Sequence, residues 1–327
     1  MIVTPVSHVV AGLGEGPVWD PETDTVSWVD IPRGVLHRTT PGTGRTVSRD
    51  LGAPLALYLP LPSGAVLARG DDLLFLPADG APPRPWVSFP HRANMRLNDG
   101  AWDQQGRLLI GTMVLPGHEG GPAGLWRVDP AGGEPVELVR GLGLSNGIAW
   151  SPEGTRFYHV DTSTRQVRGY EVDAHGDITA ESVLARIEAG AGNPDGITVD
   201  AEGHVWVCLF GGWAVRRYGP DGSRTGELRL PVQYPTSCAF GGEGLRTLFV
   251  TTASNRLDEA GRRAQPWAGR LLACEPGVRG APGVLGRPPA SQVTSTSTSR
   301  VTPVFRVLTP ATAGKEQAHA RGVPRIR

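Results

Sequence analysis

Glu15, Asn98, Asn146 and Asp195 share one setting in the chain, with Thr236 as a weaker fifth case. Each stands five residues before a residue that opens a turn: Asp20, Asp103, Ser151, Asp200 and Gly241. Brought together, two carboxylates and two carboxamides form an oxygen-rich cavity. Carboxylates that close repel unless a proton or a cation lies between them. A donor set made only of oxygens suits Ca²⁺, Mg²⁺ or Mn²⁺. The eight histidines supply no competing set, because none is spaced H-x-H or H-E-x-x-H. The alternative is local: Asn and Asp before Gly often hydrogen-bond their own turns. Four such residues at one offset are better explained by convergence.

Convergence requires a repeating scaffold, and the flanking residues provide one. Glu15-Gly-Pro-Val-Trp-Asp20, Asn98-Asp-Gly-Ala-Trp-Asp103, Asn146-Gly-Ile-Ala-Trp-Ser151, Asp195-Gly-Ile-Thr-Val-Asp200 and Thr236-Ser-Cys-Ala-Phe-Gly241 share one plan. A second apolar strand follows each, such as Val26-Ser-Trp-Val-Asp30 or His204-Val-Trp-Val-Cys208. A sixth, weaker copy, Leu57-Tyr-Leu-Pro-Leu-Pro62, fills the double gap between the first two and places Leu57 at the site offset. The six turn positions average about 44 residues apart, the length of a four-stranded propeller blade. An all-β, six-bladed β-propeller is therefore expected, its innermost strands carrying the in-phase residues into a central channel. A β-sandwich would not account for so long a repeat.

Composition agrees. Gly 45 and Pro 30 indicate many turns and few long helices. Lys+Arg 32 balances Asp+Glu 32, so no basic face is available for nucleic acid or an anionic membrane. The single lysine is Lys315, which excludes Schiff-base and P-loop lysines from the main body. Cys208, Cys238 and Cys274 form no C-x-x-C pair and read as reduced core residues. No signal-like leader or long apolar run is seen, so a soluble cytoplasmic protein is expected, a monomer or weak homo-oligomer. Residues 1–288 form the expected propeller. The Ser/Thr-rich segment 289–327 reads as a flexible tail without a role.

The sequence resembles the regucalcin/gluconolactonase family of senescence-marker-protein-like lactonases. The resemblance rests on Leu13-Gly-Glu-Gly-Pro-Val-Trp19, Arg96-Leu-Asn-Asp-Gly100, Gly111-Thr-Met113, Leu144-Ser-Asn-Gly147, Pro194-Asp-Gly196, Thr236-Ser-Cys-Ala-Phe240 and Pro276-Gly-Val-Arg-Gly280. It runs in order from about residue 10 to about residue 287. It implies a six-bladed propeller with one divalent ion, Ca²⁺ first, with Zn²⁺, Mn²⁺ or Mg²⁺ as alternatives. Glu15, Asn146 and Asp195 would ligate it, while Arg96, Asn98 and Asp99 would meet the substrate, a small sugar lactone. Relatives often carry acidic residues after the Gly-Thr-Met motif. Here Val114-Leu-Pro-Gly-His-Glu119 departs from that pattern, and Glu119 stands at a different spacing.

The mechanism expected on this basis is attack of water on a lactone carbonyl polarised by the ion, with Asp195 also guiding the water's deprotonation. The alternatives keep the same scaffold: an esterase or phosphotriesterase, or a calcium-binding propeller without catalysis. Gly143-Leu-Ser-Asn-Gly147 matches a nucleophile elbow, but no helix pattern follows it, which argues against Ser145 as a nucleophile.

Overall fold

A computed structural model describes residues 1–89, 94–117, 123–284, 286 and 287. Glu119 and the segment 289–327 lie outside these residues. Six four-stranded antiparallel sheets make up the structure. Their innermost strands are Gly14–Asp20, Leu55–Leu61, Met95–Trp102, Ser145–Trp150, Asn193–Val199 and Pro235–Gly241, which open blades 1 to 6. Neighbouring inner strands touch around a closed ring, the sixth against the first. This is the six-bladed β-propeller expected from the repeat. The sixth blade is completed by the N-terminal strand Thr4–Pro5, which pairs with Leu272–Cys274. That junction joins the two ends of the ring.

The sheets are held by apolar side chains packed between blades. One cluster unites Leu36, Leu55, Leu57, Leu67, Leu97 and Trp102 across blades 1 to 3. Side chains of this size contribute roughly 1.5–3 kcal/mol each when fully buried. Cys208, Cys238 and Cys274 are buried and unpaired in the cluster between blades 5 and 6. Among the described residues no helix is long and apolar enough to cross a membrane.

Each inner strand carries one extra residue relative to its partner. The register shifts fall between Glu15 and Val18, Leu55 and Leu57, Leu97 and Gly100, Ser145 and Ile148, Pro194 and Ile197, and Pro235 and Cys238. A bulge of this kind bends the strand and re-aims the side chain beside it. The in-phase residues of the sequence thus lie at or beside the bulge of each inner strand. Beneath the bulges the channel widens into a cavity of about 220 Å³, lined by Gly16, Leu57, Asp99, Trp102, Trp150 and Ser237 among others. Its far end is crossed by the segment after the last strand. That segment is tied to blade 5 by Ala201 N–H donating to Arg279 O at 2.9 Å and Ala281 N–H to Val199 O at 3.1 Å.

Candidate functional site

The in-phase residues meet at the opposite end of the channel, where the inner strands begin. Glu15 comes from blade 1, Asn98 from blade 3, Asn146 from blade 4 and Asp195 from blade 5. The Asn146 and Asp195 side chains touch directly, with Asn146 Nδ2 donating to Asp195 Oδ1 at 2.5 Å. The same nitrogen lies 3.2 Å from Thr162 Oγ1. Thr162 donates its own proton to Pro194 O at 2.8 Å, so its oxygen can only accept from Asn146. This fixes the amide orientation and leaves Asn146 Oδ1 without a donor among the described residues.

Asn98 is engaged differently. Its Oδ1 accepts from Arg96 Nη1 at 2.8 Å, and its Nδ2 donates to Ser145 O at 3.0 Å, across to blade 4. Both ends of the amide are therefore held by the protein. Arg96 Nη1 also donates to Leu97 O at 2.8 Å. Its Nη2 and Nε make no hydrogen bond to a described residue and remain available to a bound molecule.

The glycines that follow the site residues serve close packing. A Cβ on Gly147 would lie 2.7 Å from Asp195 O, and one on Gly196 would lie 2.2 Å from Ser237 Oγ. Gly thus lets blade 4 approach blade 5 and blade 5 approach blade 6. The local reading holds only in part: Gly16 N–H donates to Glu15 Oε2 at 3.1 Å and Gly100 N–H to Asp99 Oδ1 at 2.7 Å.

Three carboxylates, Glu15, Asp99 and Asp195, share this space with one arginine. Burial, reinforced by Asp195 and Asp99, drives the Glu15 carboxyl well above the usual range. Burial, with Asp99 adding to it, raises Asp195 to about 8 against the lowering effect of Asn146 and Arg96. Burial raises Asp99 to about 6. Arg96 is lowered by burial to about 10, so it stays cationic at neutral pH. Fully ionised, three carboxylates against one arginine would leave two negative charges uncompensated; protons hold that charge when no cation is bound, and a single dication would replace them. The donors present are also those a hard dication takes: two carboxylates and a carboxamide oxygen with no donor of its own. These residues fit a divalent ion.

A second group of candidate ligands does not. Asp200, Glu202 and His204 bring ligand atoms within 4.8 Å of one another. Yet Asp200 Oδ1 already accepts from Glu202 N and His204 N, both at 3.0 Å. Its Oδ2 accepts from Trp206 Nε1 at 2.9 Å and Arg217 Nε at 2.8 Å. Arg217 also pairs with Glu202 at 2.6 Å. The charges are satisfied, and Asp200 fixes the hairpin that follows the inner strand. The sequence singled out Asp200 only as a turn residue, which is the role it fills here.

Ser145 is fully buried and bonded to His159 Nε2 at 2.7 Å. His159 is itself buried and held neutral, its pKa lowered by burial to about 3. With no solvent access and no helix after it, this pair is part of the core. Thr162 was missed by sequence reading because it lies in the connection after the second strand of blade 4, outside the repeat's phase.

Comparison with known proteins agrees with this architecture. The SMP-30/gluconolactonase/LRE-like region matches residues 13–254. The 6-deoxy-6-sulfogluconolactonase of Pseudomonas putida is 33% identical over 271 residues, 82% of this chain and 92% of its own. Pentonolactonase XacC of Haloferax volcanii is 34% identical over 261 residues, 77% of this chain and 86% of its own. The crystal structure of a calcium-binding protein, regucalcin, from Agrobacterium tumefaciens superposes with a TM-score of 0.78. It is 28% identical, over 87% of this chain and 96% of that one. The chain belongs to the SMP-30/gluconolactonase/LRE-like family.

Proposed function

We propose that this protein is a hydrolase of cyclic esters, and that its substrate is a sugar lactone opened to the sugar acid at a divalent cation held by Glu15, Asn146 and Asp195. The observation that carries the reading is the cluster of three buried carboxyls, Glu15, Asp99 and Asp195, at one end of the channel, beside a single arginine with unused donors. The names of the lactonase relatives support the reaction class, and that of the regucalcin structure supports Ca²⁺ as the first ion to test.

The cation, when bound, would polarise the lactone carbonyl and favour the charge that develops on attack. Asp195 would accept the proton of the attacking water. Its contact with Asn146 holds the carboxylate in one orientation, while a neighbouring dication would make it a weaker base. Arg96 presents its free N–H groups to hydroxyl or ring oxygens of the sugar. Asn98 fixes that guanidinium through Oδ1, so its contribution to substrate binding passes through Arg96 as well as through direct contact. Asp99 borders the cavity below and would meet the part of the substrate or water that enters there.

The test is hydrolysis of gluconolactone, pentonolactones and a phosphotriester by the purified protein, after chelation and after return of Ca²⁺, Mg²⁺, Mn²⁺ or Zn²⁺. Cation-dependent acid release from lactones is the expected outcome. Turnover of the phosphotriester alone would move the activity to another ester class. Full lactonase activity in the presence of chelator would overturn the cation's role.

A further inference from the structure

We infer that Thr236 and Thr162 are positioning residues that aim the cation ligands by gripping the backbone carbonyl just before each carboxylate. This rests on the site proposed above. Thr236 Oγ1 donates to Gly14 O at 2.6 Å, spanning from blade 6 to blade 1, and Gly14 immediately precedes Glu15. Thr162 Oγ1 donates to Pro194 O at 2.8 Å, from blade 4 to blade 5, and Pro194 immediately precedes Asp195. Asn98 Nδ2 does the same to Ser145 O, the carbonyl before Asn146. Arg96 Nη1 does it to Leu97 O, before Asn98.

Glu15, Asn98, Asn146 and Asp195 therefore each follow a carbonyl held by a side chain, three of them by a side chain of the preceding blade. The two remaining inner strands are the internal comparison. Leu57 and Thr236 follow Ala56 and Pro235, and neither carbonyl receives a side-chain donor among the described residues. Both strands carry a one-residue bulge beside the in-phase position, between Leu55 and Leu57 and between Pro235 and Cys238. In blade 6 the held carbonyl is that of Ser237, which accepts from Thr251 Oγ1 at 3.2 Å, so what distinguishes the four site strands is a grip on the carbonyl immediately before the in-phase residue. A bulge frees the backbone from its regular ladder. A short side-chain bond to that carbonyl fixes the peptide plane leading into the ligand residue, and hence the direction of its side chain. Thr162 has a second effect, because its oxygen holds Asn146 Nδ2 and so keeps Asn146 Oδ1 free as the ligand atom for the cation.

Groups that orient ligands without touching the ion typically change its affinity by about 10–100-fold when removed. The experiment is calorimetric titration of Ca²⁺ into the chelated full-length chain, comparing wild type with Thr236→Val, Thr162→Val, Thr236→Ser and Thr162→Ser. Thr252→Val serves as the control, since Thr252 Oγ1 makes an equally short bond to Arg270 O at 2.7 Å but precedes no site residue. Both site valine variants should weaken Ca²⁺ binding about 10–100-fold. The serine variants should restore it, and Thr252→Val should leave it near wild type. Melting curves in chelator, read by circular dichroism, report any folding defect separately; if one valine variant fails to fold, the other threonine and the serine pair still decide. Wild-type affinity in both site valine variants would overturn the inference while leaving the site standing. Equal weakening in Thr252→Val would overturn it too, reducing the effect to general loosening. Absence of Ca²⁺ binding by the wild type would remove the Ca²⁺ site and this inference with it.

Discussion

The inner strand of blade 5 has an aspartate near each end, and the two do opposite work. Asp200, at the turn end, collects four donors on its two oxygens, two of them backbone N–H groups and two from Trp206 and Arg217. Asp195, five residues earlier in the bulge, receives one short bond from Asn146 and faces Glu15 and Asp99 instead. The same side chain on the same strand is thus saturated at one end and left in deficit at the other. A buried carboxylate with its full set of donors belongs to the structure. One packed against other carboxylates marks a place where a cation completes the charge.

Replacing each aspartate should break the molecule in a different way. Asp195→Ala should lower lactone turnover by at least about 10³-fold and abolish cation binding. Its melting temperature in chelator should be no lower than wild type, since the cost of burying the Asp195 carboxyl is removed. Kinetics and melting curves on the same preparation check both parts. Asp200→Asn should do the reverse. The new amide places N–H groups against Trp206 or Arg217 or against the two backbone donors, and Arg217 loses part of its charge partner. Breaking a buried pair costs about 3–5 kcal/mol of stability, measurable by urea unfolding, with the cation affinity of the folded fraction close to wild type.

Arg96→Lys would sharpen the comparison at the substrate. A lysine keeps the charge but cannot hold Asn98 Oδ1 and Leu97 O while presenting further N–H groups in a planar fork. The expected effect is a rise in KM of about 10-fold or more, with a smaller change in kcat. Unchanged KM would separate Arg96 from the substrate.

The smallest expected effect concerns pH. The Asp195 carboxyl is raised from 3.8 to about 8 in the folded chain, and Glu15 and Asp99 are raised as well. Between those limits the folded chelated protein holds protons that the unfolded chain has released. Its stability should therefore fall as pH rises from about 4 to about 8. Added Ca²⁺ should flatten or reverse that slope, because the cation replaces the proton. Melting temperatures at pH 5 and pH 8, with chelator and with Ca²⁺, read this directly. A chelated protein that gains stability across this range would contradict the charge deficit.

Much of the scaffold was legible because its signal repeats. The apolar strand, the turn-opening residue and the constant offset back to Glu15, Asn98, Asn146 and Asp195 recur in series, so a ring of equivalent blades follows from the residues alone. Leu57 was legible as the exception, an apolar wall where the other blades place polar atoms. The strand Thr4–Pro5 was not, since two residues carry no alternation and its pairing is decided by the ring's need to close. Nor was the double engagement of Asn98, whose partner carbonyl on Ser145 lies 47 residues away. Thr162 and Thr236 act through backbone carbonyls of other blades, and a sequence shows side-chain types without showing which carbonyl they reach.

The most direct measurement is a calorimetric titration of Ca²⁺ into chelated wild type, Asp195→Asn and Asp200→Asn. One ion per wild-type chain, absent in Asp195→Asn and present in the folded Asp200→Asn variant, is the expected result. Binding that survives Asp195→Asn and disappears with Asp200→Asn would move the cation to the hairpin at the other end of the strand and contradict the proposed site.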